Sequence, residues 1–359
     1  MKILHISQIG RLKEGIGSVL YKLVPLQREL QNQVKVISVF KNEVYPDFSV
    51  EHVESEGEFC KIIDSFVPDI VIFHSVYYMP YIHFYRVLLN RQIPYLIQMH
   101  GALSKQNYAK SRLKKWIANK LFFNKFLKNA RAIVYLNPAE RKSCIVNSLN
   151  PSSLIIPNGC DNVQFLSLNK APKLPLDILY IGRIDMIHKG NDKLIEAMQI
   201  LKSEGYNKCK VTVYANPNDP DLPIFKKQIA NMEDLIEYKG GIYGDEKERR
   251  LREADLFILT SRYEGMPMGV LEALSYGIPC IITPGTNMAD EIDDIKAGWV
   301  SPLDSSQIAQ TIKKAVEKYS EESDQFRVNA YNLSKEYDWE KIARDSVHSY
   351  QSFLSNTEK

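Results

Sequence analysis

Residues 255–274 read DLFILTSRYEGMPMGVLEAL, and they predict a strand, a tight loop and the start of a helix. The run 255–260 is apolar and typical of a buried strand. Two glycines and a proline follow it, and the apolar run after them indicates a helix. In α/β folds, ligands bind where such a loop leaves the carboxyl end of a parallel strand. We therefore expect two carboxylates, Glu264 in the loop and Glu272 in the helix, to face one ligand.

Short apolar runs alternate with longer amphipathic runs along the chain. The predicted strands are residues 2–7, 34–40, 69–74, 94–99, 131–136, 153–156, 177–181, 210–215, 235–239, 255–260, 278–282 and 298–300. The predicted helices are residues 15–31, 58–66, 80–91, 108–129, 138–148, 190–204, 221–231, 245–253, 268–276, 288–293 and 305–319. This alternation predicts an α/β fold of two Rossmann-like parallel-sheet domains that face each other across a cleft.

A polar, proline-containing stretch near residues 158–176 divides the chain. A length of 359 residues suits two domains, and we place them at 1–160 and 161–335. The tail, 336–359, is expected to form a helix that packs back on the first domain. Its predicted buried stripe consists of Trp339, Ile342, Val347, Tyr350 and Phe353.

The composition is that of an ordinary globular protein. The net charge of +3 argues against a polyanion-binding surface over the whole molecule, and the five scattered cysteines form no C-x-x-C pair. The cysteines therefore favour neither a disulfide framework nor a zinc site, and they fit the cytoplasm. The opening residues 1–7 turn polar too quickly for a signal peptide, and no apolar run is long enough to span a membrane.

Two cations flank a short loop after the predicted strand 177–181: Arg183 follows Gly182, and Lys189 precedes Gly190. A guanidinium binds phosphate oxygens as a fork, and an ammonium adds a point charge, so the pair suits a diphosphate. The alternative is a structural Arg183 that pairs with Asp185.

Two strand-end motifs in the first half suggest further contacts. Gly15 and Gly17 follow the first strand, where backbone amides can approach a phosphate, although a tight strand-to-helix loop would need glycine too. His100, followed by Gly101, ends strand 94–99 and is expected to point into the cleft rather than to be structural.

The loop after strand 255–260 predicts most of the remaining contacts. Glu264 is expected on sugar hydroxyls and Glu272 on the two ribose hydroxyls, since the apolar neighbours of Glu272 disfavour a simple solvated face. The loop 239–244 follows a strand and is expected to border a nucleotide base. The predicted ligand-binding residues are Gly15, Gly17, Gly241, Ile242, Gly265, Met266, Pro267, Met268, Gly269, Leu271 and Glu272.

In combination, these motifs resemble a retaining glycosyltransferase of family 4 (glycosyl transferases group 1), which has the GT-B fold. The motifs that carry the resemblance are Gly15-Ile16-Gly17, His100-Gly101, Pro157-Asn158-Gly159, Gly182-Arg183 with Lys189-Gly190, and Glu264-Gly265-x-Pro267 with Glu272. The resemblance implies transfer of a hexosyl group from a UDP- or GDP-sugar to an acceptor hydroxyl, in surface polysaccharide or glycolipid biosynthesis. It implies no metal and no other cofactor.

The resemblance also implies a role for each charged residue. Arg183 and Lys189 would bind the donor diphosphate, Glu264 the donor sugar and Glu272 the ribose, with His100 beside the reacting sugar. His100, Arg183, Lys189 and Glu264 form the implied catalytic set. Many relatives carry paired glycines where this chain has Gly15-Ile16-Gly17, so either glycine could approach the phosphate. Because Glu264 is placed on sugar hydroxyls, front-face attack is preferred to double displacement.

Residues 101–131 hold nine lysines or arginines and no acidic residue, with aromatic side chains between them. One explanation is a core-packed helix with a solvated outer face. The other is an anionic membrane surface at the inner face of the plasma membrane, which would suit a lipid-linked acceptor. Nucleic acid fits less well, because no second basic surface or motif accompanies this stretch.

The sequence therefore supports three hypotheses about the function. The leading hypothesis is a glycosyltransferase whose partners are a nucleotide-sugar donor and a glycan or glycolipid acceptor. The alternatives are a GT-B-like sugar-nucleotide epimerase and a nucleotide-binding module without catalysis.

Overall fold

The computed structural model describes residues 1–9, 15–41, 48–104, 108, 112–145, 148–150, 152–165 and 172–355. The chain forms two compact units. The first combines Met1–Gly159 with Trp339–Lys359, and the second is Cys160–Asp338. The first unit therefore contains segments from both ends of the chain.

Seven parallel strands form the sheet of the first unit. They are β1 (Lys2–Ser7), β2 (Gln33–Ser38), β3 (Glu51–His52), β4 (Ile70–His74), β5 (Tyr95–Gln98), β6 (Ala132–Tyr135) and β7 (Ser153–Ile155). Their order is β3-β2-β1-β4-β5-β6-β7. The chain changes direction across the sheet between β1 and β4, and such a switch point is where doubly wound sheets bind ligands. β4 is buried along its whole length, which explains its continuous apolar sequence.

The helices of the first unit precede and follow these strands. They are α1 (Ile16–Glu29), α2 (Glu56–Phe66), α3 (Met79–Asn90), α4 (Arg112–Ala118), α5 (Asn124–Asn129) and α6 (Pro138–Ser143). A capping box between Ser55 and Glu58 starts α2. The single helix predicted at 108–129 is divided, because a π-helical segment, Asn119–Phe123, separates α4 from α5.

Six parallel strands form the sheet of the second unit, in the order β10-β9-β8-β11-β12-β13. They are β8 (Leu176–Ile181), β9 (Cys209–Tyr214), β10 (Ile236–Gly240), β11 (Leu256–Leu259), β12 (Cys280–Ile282) and β13 (Gly298–Val300). The switch point lies between β8 and β11. The helices are α7 (Asn191–Ser203), α8 (Leu222–Ile229), α9 (Gly244–Glu253), α10 (Met268–Ser275), α11 (Ala289–Asp294) and α12 (Ser305–Lys335).

The last helix, α13 (Trp339–Ser355), belongs to the first unit and packs against α1. Its buried face includes Trp339, Ile342, Val347 and Tyr350, while Phe353 is half-buried. A Cβ on Gly159 would overlap the Trp339 ring, so glycine at this position allows the indole to lie against the chain.

The two parallel α/β sheets confirm the predicted fold class. Besides the divided helix at 108–129, further elements differ from the prediction; the helix predicted at 138–148, for example, ends at Ser143. The sequence indicates no strand at β3, which is only two residues long. It also predicts a helix at 305–319, whereas α12 continues to Lys335 through a kink at Glu322. The predicted cleft between the two domains stays a prediction.

Candidate functional site

The charged residues predicted around the diphosphate and sugar lie together in the second unit. Lys189 Nζ is 2.6 Å from Glu264 Oε1, between the loop that follows β8 and the loop that follows β11. The Ser261 hydroxyl donates to the same carboxylate oxygen at 2.6 Å. The Lys189 and Glu264 side chains are 18% and 10% exposed, so this ion pair is shielded from water. The site therefore offers a cation and a carboxylate at the switch point.

Arg183 forms hydrogen bonds with two residues of its own loop. Its Nη2 atom lies 3.0 Å from Asp185 Oδ2 and 3.0 Å from His188 Nδ1. His188 Nε2 lies 2.8 Å from the Tyr263 carbonyl, which only accepts, so His188 Nδ1 accepts from the guanidinium. Burial lowers the pKa of His188, and the negative charge of Glu264 opposes that shift. The structural pairing of Arg183 with Asp185 is thus present, and the Arg183 side chain remains 54% exposed.

Gly190 brings the two loops together. It has a φ of +65°, and a Cβ at this position would overlap the carbonyl oxygen of Thr260 at the end of β11. The Thr260 hydroxyl in turn donates to the Gly190 carbonyl at 3.0 Å. This close backbone approach places the preceding residue, Lys189, beside Glu264.

Glu272 lies in α10 and pairs with Lys247 of α9. The lysine nitrogen is 2.8 Å from Oε1 and 2.7 Å from Oε2. Both side chains are about one-third exposed, at 33% for Glu272 and 27% for Lys247. The carboxylate predicted to bind ribose therefore already has a cation on both oxygens, a partner that the sequence did not indicate.

Hydrogen bonds from Asn287 fix the loop between Glu264 and α10. Asn287 Nδ2 donates to the carbonyl oxygens of Glu264 at 2.6 Å and Gly265 at 3.3 Å. Pro267 is the N-cap of α10, which begins at Met268. Of the predicted donor-binding residues in the second unit, those buried are Met266, Pro267, Leu271 and Ile242, and those half-buried are Gly241, Gly265, Met268, Gly269 and Glu272.

Leu271 is fully buried, and its amide donates to the Pro267 carbonyl at 3.3 Å. The predicted contact of Leu271 with the donor would therefore need this arrangement to change. Gly269 has a different constraint, because a Cβ there would lie 3.2 Å from the Ile181 carbonyl oxygen at the end of β8. Glycine thus lets the first turn of α10 approach the sheet.

The predicted residues of the first unit lie at its own switch point. His100 follows β5 and has a φ of +48°, which is uncommon for a residue with a side chain. The next amide, of Gly101, donates to the buried Glu140 carboxylate, which also accepts from the Leu136 amide at 2.6 Å. Burial raises the pKa of Glu140. The two hydrogen bonds to Glu140 thus fix the loop that carries His100.

The glycine loop starts α1. Gly15 is the N-cap, with a φ of +54° and ψ of −127°, and Gly17 is buried within the helix. A Cβ on Gly15 would meet nothing within 4 Å, so its backbone conformation and not crowding requires glycine. The predicted convergence of Gly15, Gly17 and His100 with Arg183, Lys189 and Glu264 stays a prediction.

Sequence reasoning missed the residues that hold the predicted ones in place. Arg262, for example, donates from Nη1 and Nη2 to the two carboxylate oxygens of Asp192 at 2.7 and 2.6 Å. Arg262 Nη1 also donates to the Ile187 carbonyl at 2.7 Å, which fixes the loop before Lys189. These partners are 70 or more residues apart in the chain, and no short motif could connect them.

The residues around this site also lie in a part of the chain that resembles a known family. Residues 167–333 match the family described as glycosyl transferases group 1, and they include Arg183, Lys189, Glu264 and Glu272. The match covers just under half of the chain and shows that this part is similar to the glycosyl transferases group 1 family. This similarity bears out the predicted resemblance, and curated relatives of this part of the chain are named glycosyltransferases.

A curated relative of this chain is the putative colanic acid biosynthesis glycosyltransferase WcaL of Escherichia coli (strain K12). The two are 28% identical over 182 residues, which cover 45% of this chain and 44% of WcaL. The match thus spans less than half of that relative.

Solved structures resemble the chain over nearly its whole length. Sucrose-phosphate synthase from Thermosynechococcus elongatus aligns with a TM-score of 0.79 and 15% identity, over 99% of this chain and 100% of that one. Anabaena HepE in complex with UDP-glucose aligns with a TM-score of 0.73 and 16% identity, over 98% and 100%. At such identities the likeness shows the fold, and it confirms GT-B.

Proposed function

We propose that this protein is a retaining glycosyltransferase that moves a hexosyl group from a UDP- or GDP-sugar to an acceptor hydroxyl. The observation that carries the proposal is the cluster of Arg183, Lys189 and Glu264 at the carboxyl ends of β8 and β11. It combines cations that suit a diphosphate with a carboxylate that suits sugar hydroxyls. The solved complex of HepE with UDP-glucose supports a nucleotide-sugar donor.

Both cations retain hydrogen-bond donors for a diphosphate. The Lys189 ammonium has three donors, and Glu264 uses one of them. Arg183 uses Nη2 for Asp185 and His188, which leaves Nε and Nη1 for phosphate oxygens. Such fixed donors stabilise the charge that develops on the leaving diphosphate, and losing one costs about 3–4 kcal/mol of barrier.

The environment of Glu264 favours front-face attack with retention. Its Oε1 atom accepts from both Lys189 and Ser261, which reduces the nucleophilicity that a covalent intermediate would need. Within the described residues, Oε2 has no hydrogen-bond partner and can accept from the donor sugar. The acceptor hydroxyl would then lose its proton to a phosphate oxygen of the donor.

The proposal needs no metal, since Arg183 and Lys189 supply positive charge at the phosphates. Among residues that the structure describes, no three His, Cys, Asp or Glu side chains gather as a metal site. Activity that persists in excess EDTA would support this part, and loss of activity that Mg²⁺ or Mn²⁺ restores would refute it.

We place the acceptor in surface polysaccharide or glycolipid biosynthesis, because WcaL is named for colanic acid biosynthesis. A lipid-linked acceptor would bring the enzyme to the inner face of the plasma membrane. No helix in the described part of the chain is both long and apolar enough to cross a bilayer. Attachment of the enzyme to the membrane would therefore use a lipid-binding surface.

The segment Arg112–Phe123 supplies such a surface. Leu113, Trp116, Ile117 and Leu121 are exposed by 70%, 53%, 43% and 59%. The first three are spaced i, i+3 and i+4 in α4, so they share one face. Exposed basic residues lie among them, namely Arg112, Lys114 and Lys120. An apolar stripe with flanking cations fits an anionic bilayer, while Lys105 and Lys110 of the predicted stretch lie outside the described residues.

The test of the reaction is incubation of the purified protein with UDP- and GDP-sugars, first ranked by thermal shift. A transferase releases nucleoside diphosphate, and an added acceptor should accelerate the release and yield a product of unchanged anomeric configuration. Isomerised sugar without release would instead indicate an epimerase. Binding without any turnover would indicate a nucleotide-binding module.

A further inference from the structure

Three histidines of the first unit form one hydrogen-bonded row across the switch point. His5 Nδ1 lies 2.9 Å from His74 Nε2, and His74 Nδ1 lies 2.9 Å from His100 Nε2. In both pairs the ring centroids are 5.2 Å apart and the rings tilt by 37° and 28°, so with nitrogens 2.9 Å apart the rings meet edge to edge. Each contact therefore holds one proton between two nitrogens.

The inner end of this histidine row is anchored on α1 and α13. His5 Nε2 lies 2.9 Å from Gln27 Oε1, and Gln27 Nε2 lies 3.1 Å from the Ser346 hydroxyl. Ser346 donates to the Ala343 carbonyl at 2.8 Å. His5, His74, Gln27 and Ser346 are all fully buried, so water does not compete for these bonds.

The Ala343 carbonyl sets the direction of every bond in the row, because a carbonyl only accepts. Ser346 gives it the one hydroxyl proton, so the serine oxygen accepts from the Gln27 amide nitrogen. The Gln27 oxygen then accepts from His5 Nε2. His5 Nδ1 consequently accepts from His74 Nε2, and His74 Nδ1 accepts from His100 Nε2.

Burial keeps the three rings neutral. It lowers the pKa of His5 to about 4, that of His100 to about 3, and that of His74 well below its ordinary value. A neutral imidazole carries one proton, and in each ring the donated bond places it on Nε2.

We propose that His5, His74 and Gln27 are positioning residues that hold His100 in its Nε2-protonated neutral tautomer. The lone pair of His100 Nδ1 then accepts a hydrogen bond from a hydroxyl of the donor sugar. In the part of the chain that the structure describes, this nitrogen has no hydrogen-bond partner. The inference rests on the proposed function, which sets His100 beside the sugar.

The opposite polarity would give the site a different chemistry. The Ser346 proton would turn to Gln27, and two oxygens without a proton between them would remain 2.8 Å apart at Ser346 and Ala343. His100 would then present an Nδ1–H donor, which suits a phosphate and not a hydroxyl proton. The repulsion between the two oxygens disfavours this arrangement.

Long-range ¹⁵N–¹H correlation spectra of histidine-labelled protein at pH 7 test the tautomer directly. The chain has seven histidines, and single His→Gln variants assign the signals. We expect the proton on Nε2 of His100, His74 and His5. A proton on Nδ1 of His100 in the native protein overturns the proposal, whether or not any variant folds.

Ser346→Ala tests the anchor, and Ser352→Ala is its matched control. Ser352 also lies on α13 and donates to a backbone carbonyl, that of His348, but it is outside the row. We expect Ser346→Ala to give His100 both neutral tautomers and to raise the donor KM about threefold to tenfold, with a smaller effect on kcat. Ser352→Ala should change neither property.

The outcomes separate the inference from the proposed function. An unchanged tautomer and KM in Ser346→Ala would refute the anchor. If the tautomer changes but the donor KM does not, His100 does not contact the sugar through Nδ1. If the wild type releases no nucleotide from any sugar, the proposed function fails, and the spectra still decide the polarity of the row.

Discussion

Lys189 and Glu264, which are 75 residues apart in the chain, form a shielded ion pair with an Nζ–Oε1 distance of 2.6 Å. The pair joins the loop after β8 to the loop after β11. Each partner therefore has two roles, since it positions the other and is also expected to contact the donor. A substitution at either residue should affect stability as well as turnover.

Lys189→Ala should lower kcat about 10²–10³-fold, because it removes one fixed donor from the leaving diphosphate. Release of nucleoside diphosphate at saturating donor measures the effect. The matched control is Lys193→Ala in α7, where the lysine pairs with Glu196 instead of Glu264. Wild-type turnover in a folded Lys189→Ala protein would contradict the role of Lys189.

Glu272→Gln should raise the donor KM about 10–100-fold with little change in kcat. The carboxylate is expected to bind ribose hydroxyls in both the ground and transition states, so its loss weakens binding uniformly. Steady-state kinetics and calorimetric titration of the nucleoside diphosphate give the two constants. Glu248→Gln removes a similar ion pair, that with Arg252, and should leave the KM unchanged.

Much of the fold was readable because buried parallel strands are continuous apolar runs between polar loops. The length of α12 could not be predicted, because the end of this helix lacks such an apolar pattern. Residues 320–335 are mostly polar, and the helix continues there because Phe326 and Ala330 are buried. Tertiary packing, and not local sequence, sets this boundary.

The sequence indicated candidate site residues where a short motif contained them. Arg183, Lys189, Glu264 and Glu272 follow glycine-rich strand ends, and the sequence indicated all four. Their partners could not be found in this way. Lys247, for instance, is an ordinary helix residue until folding places it on Glu272.

Leu113→Ser combined with Trp116→Ser should abolish most binding to anionic vesicles, because it removes the apolar stripe of α4. Lys114→Gln with Lys120→Gln should weaken binding by about 1 kcal/mol per charge and reduce its salt dependence. Co-sedimentation with phosphatidylglycerol vesicles measures both effects.

Ile224→Ser is the control for these membrane variants. Ile224 is 52% exposed on α8, close in sequence to Lys226 and Lys227, so it reproduces an exposed apolar residue beside cations. It should bind vesicles like the wild type. Absence of salt-sensitive binding by the wild type would contradict membrane attachment.

The first unit should lose stability as the pH falls below about 6.5, the ordinary histidine pKa. The pKa values of buried His5 and half-buried His100 are lowered to about 4 and about 3, so the unfolded chain binds protons that the folded unit does not. Stability is then complete above the unfolded pKa and decreases towards the folded values. At pH 5 the loss is about 2 kcal/mol for each histidine that stays neutral.

Calorimetry at pH 7.5 and pH 5 measures this loss, and His5→Gln should reduce it. Arg28 is the charged group that also lowers the pKa of His5. The control is His83→Gln, whose side chain is 54% exposed and should leave the pH dependence unchanged. Equal stability of the wild type at both pH values would contradict the neutral row.

Gly190→Ala and Gly205→Ala compare the two ends of α7. Both glycines have a positive φ, +65° and +67°, so both substitutions carry the backbone cost of about 1–2 kcal/mol. Only at Gly190 would the new Cβ overlap the Thr260 carbonyl, whereas Gly205 has nothing within 4 Å. Gly190→Ala should therefore cost about 1–3 kcal/mol more in unfolding free energy and lower kcat, because Lys189 moves with its neighbour. Equal stability and turnover of the two variants would show that the approach of the two loops does not position Lys189.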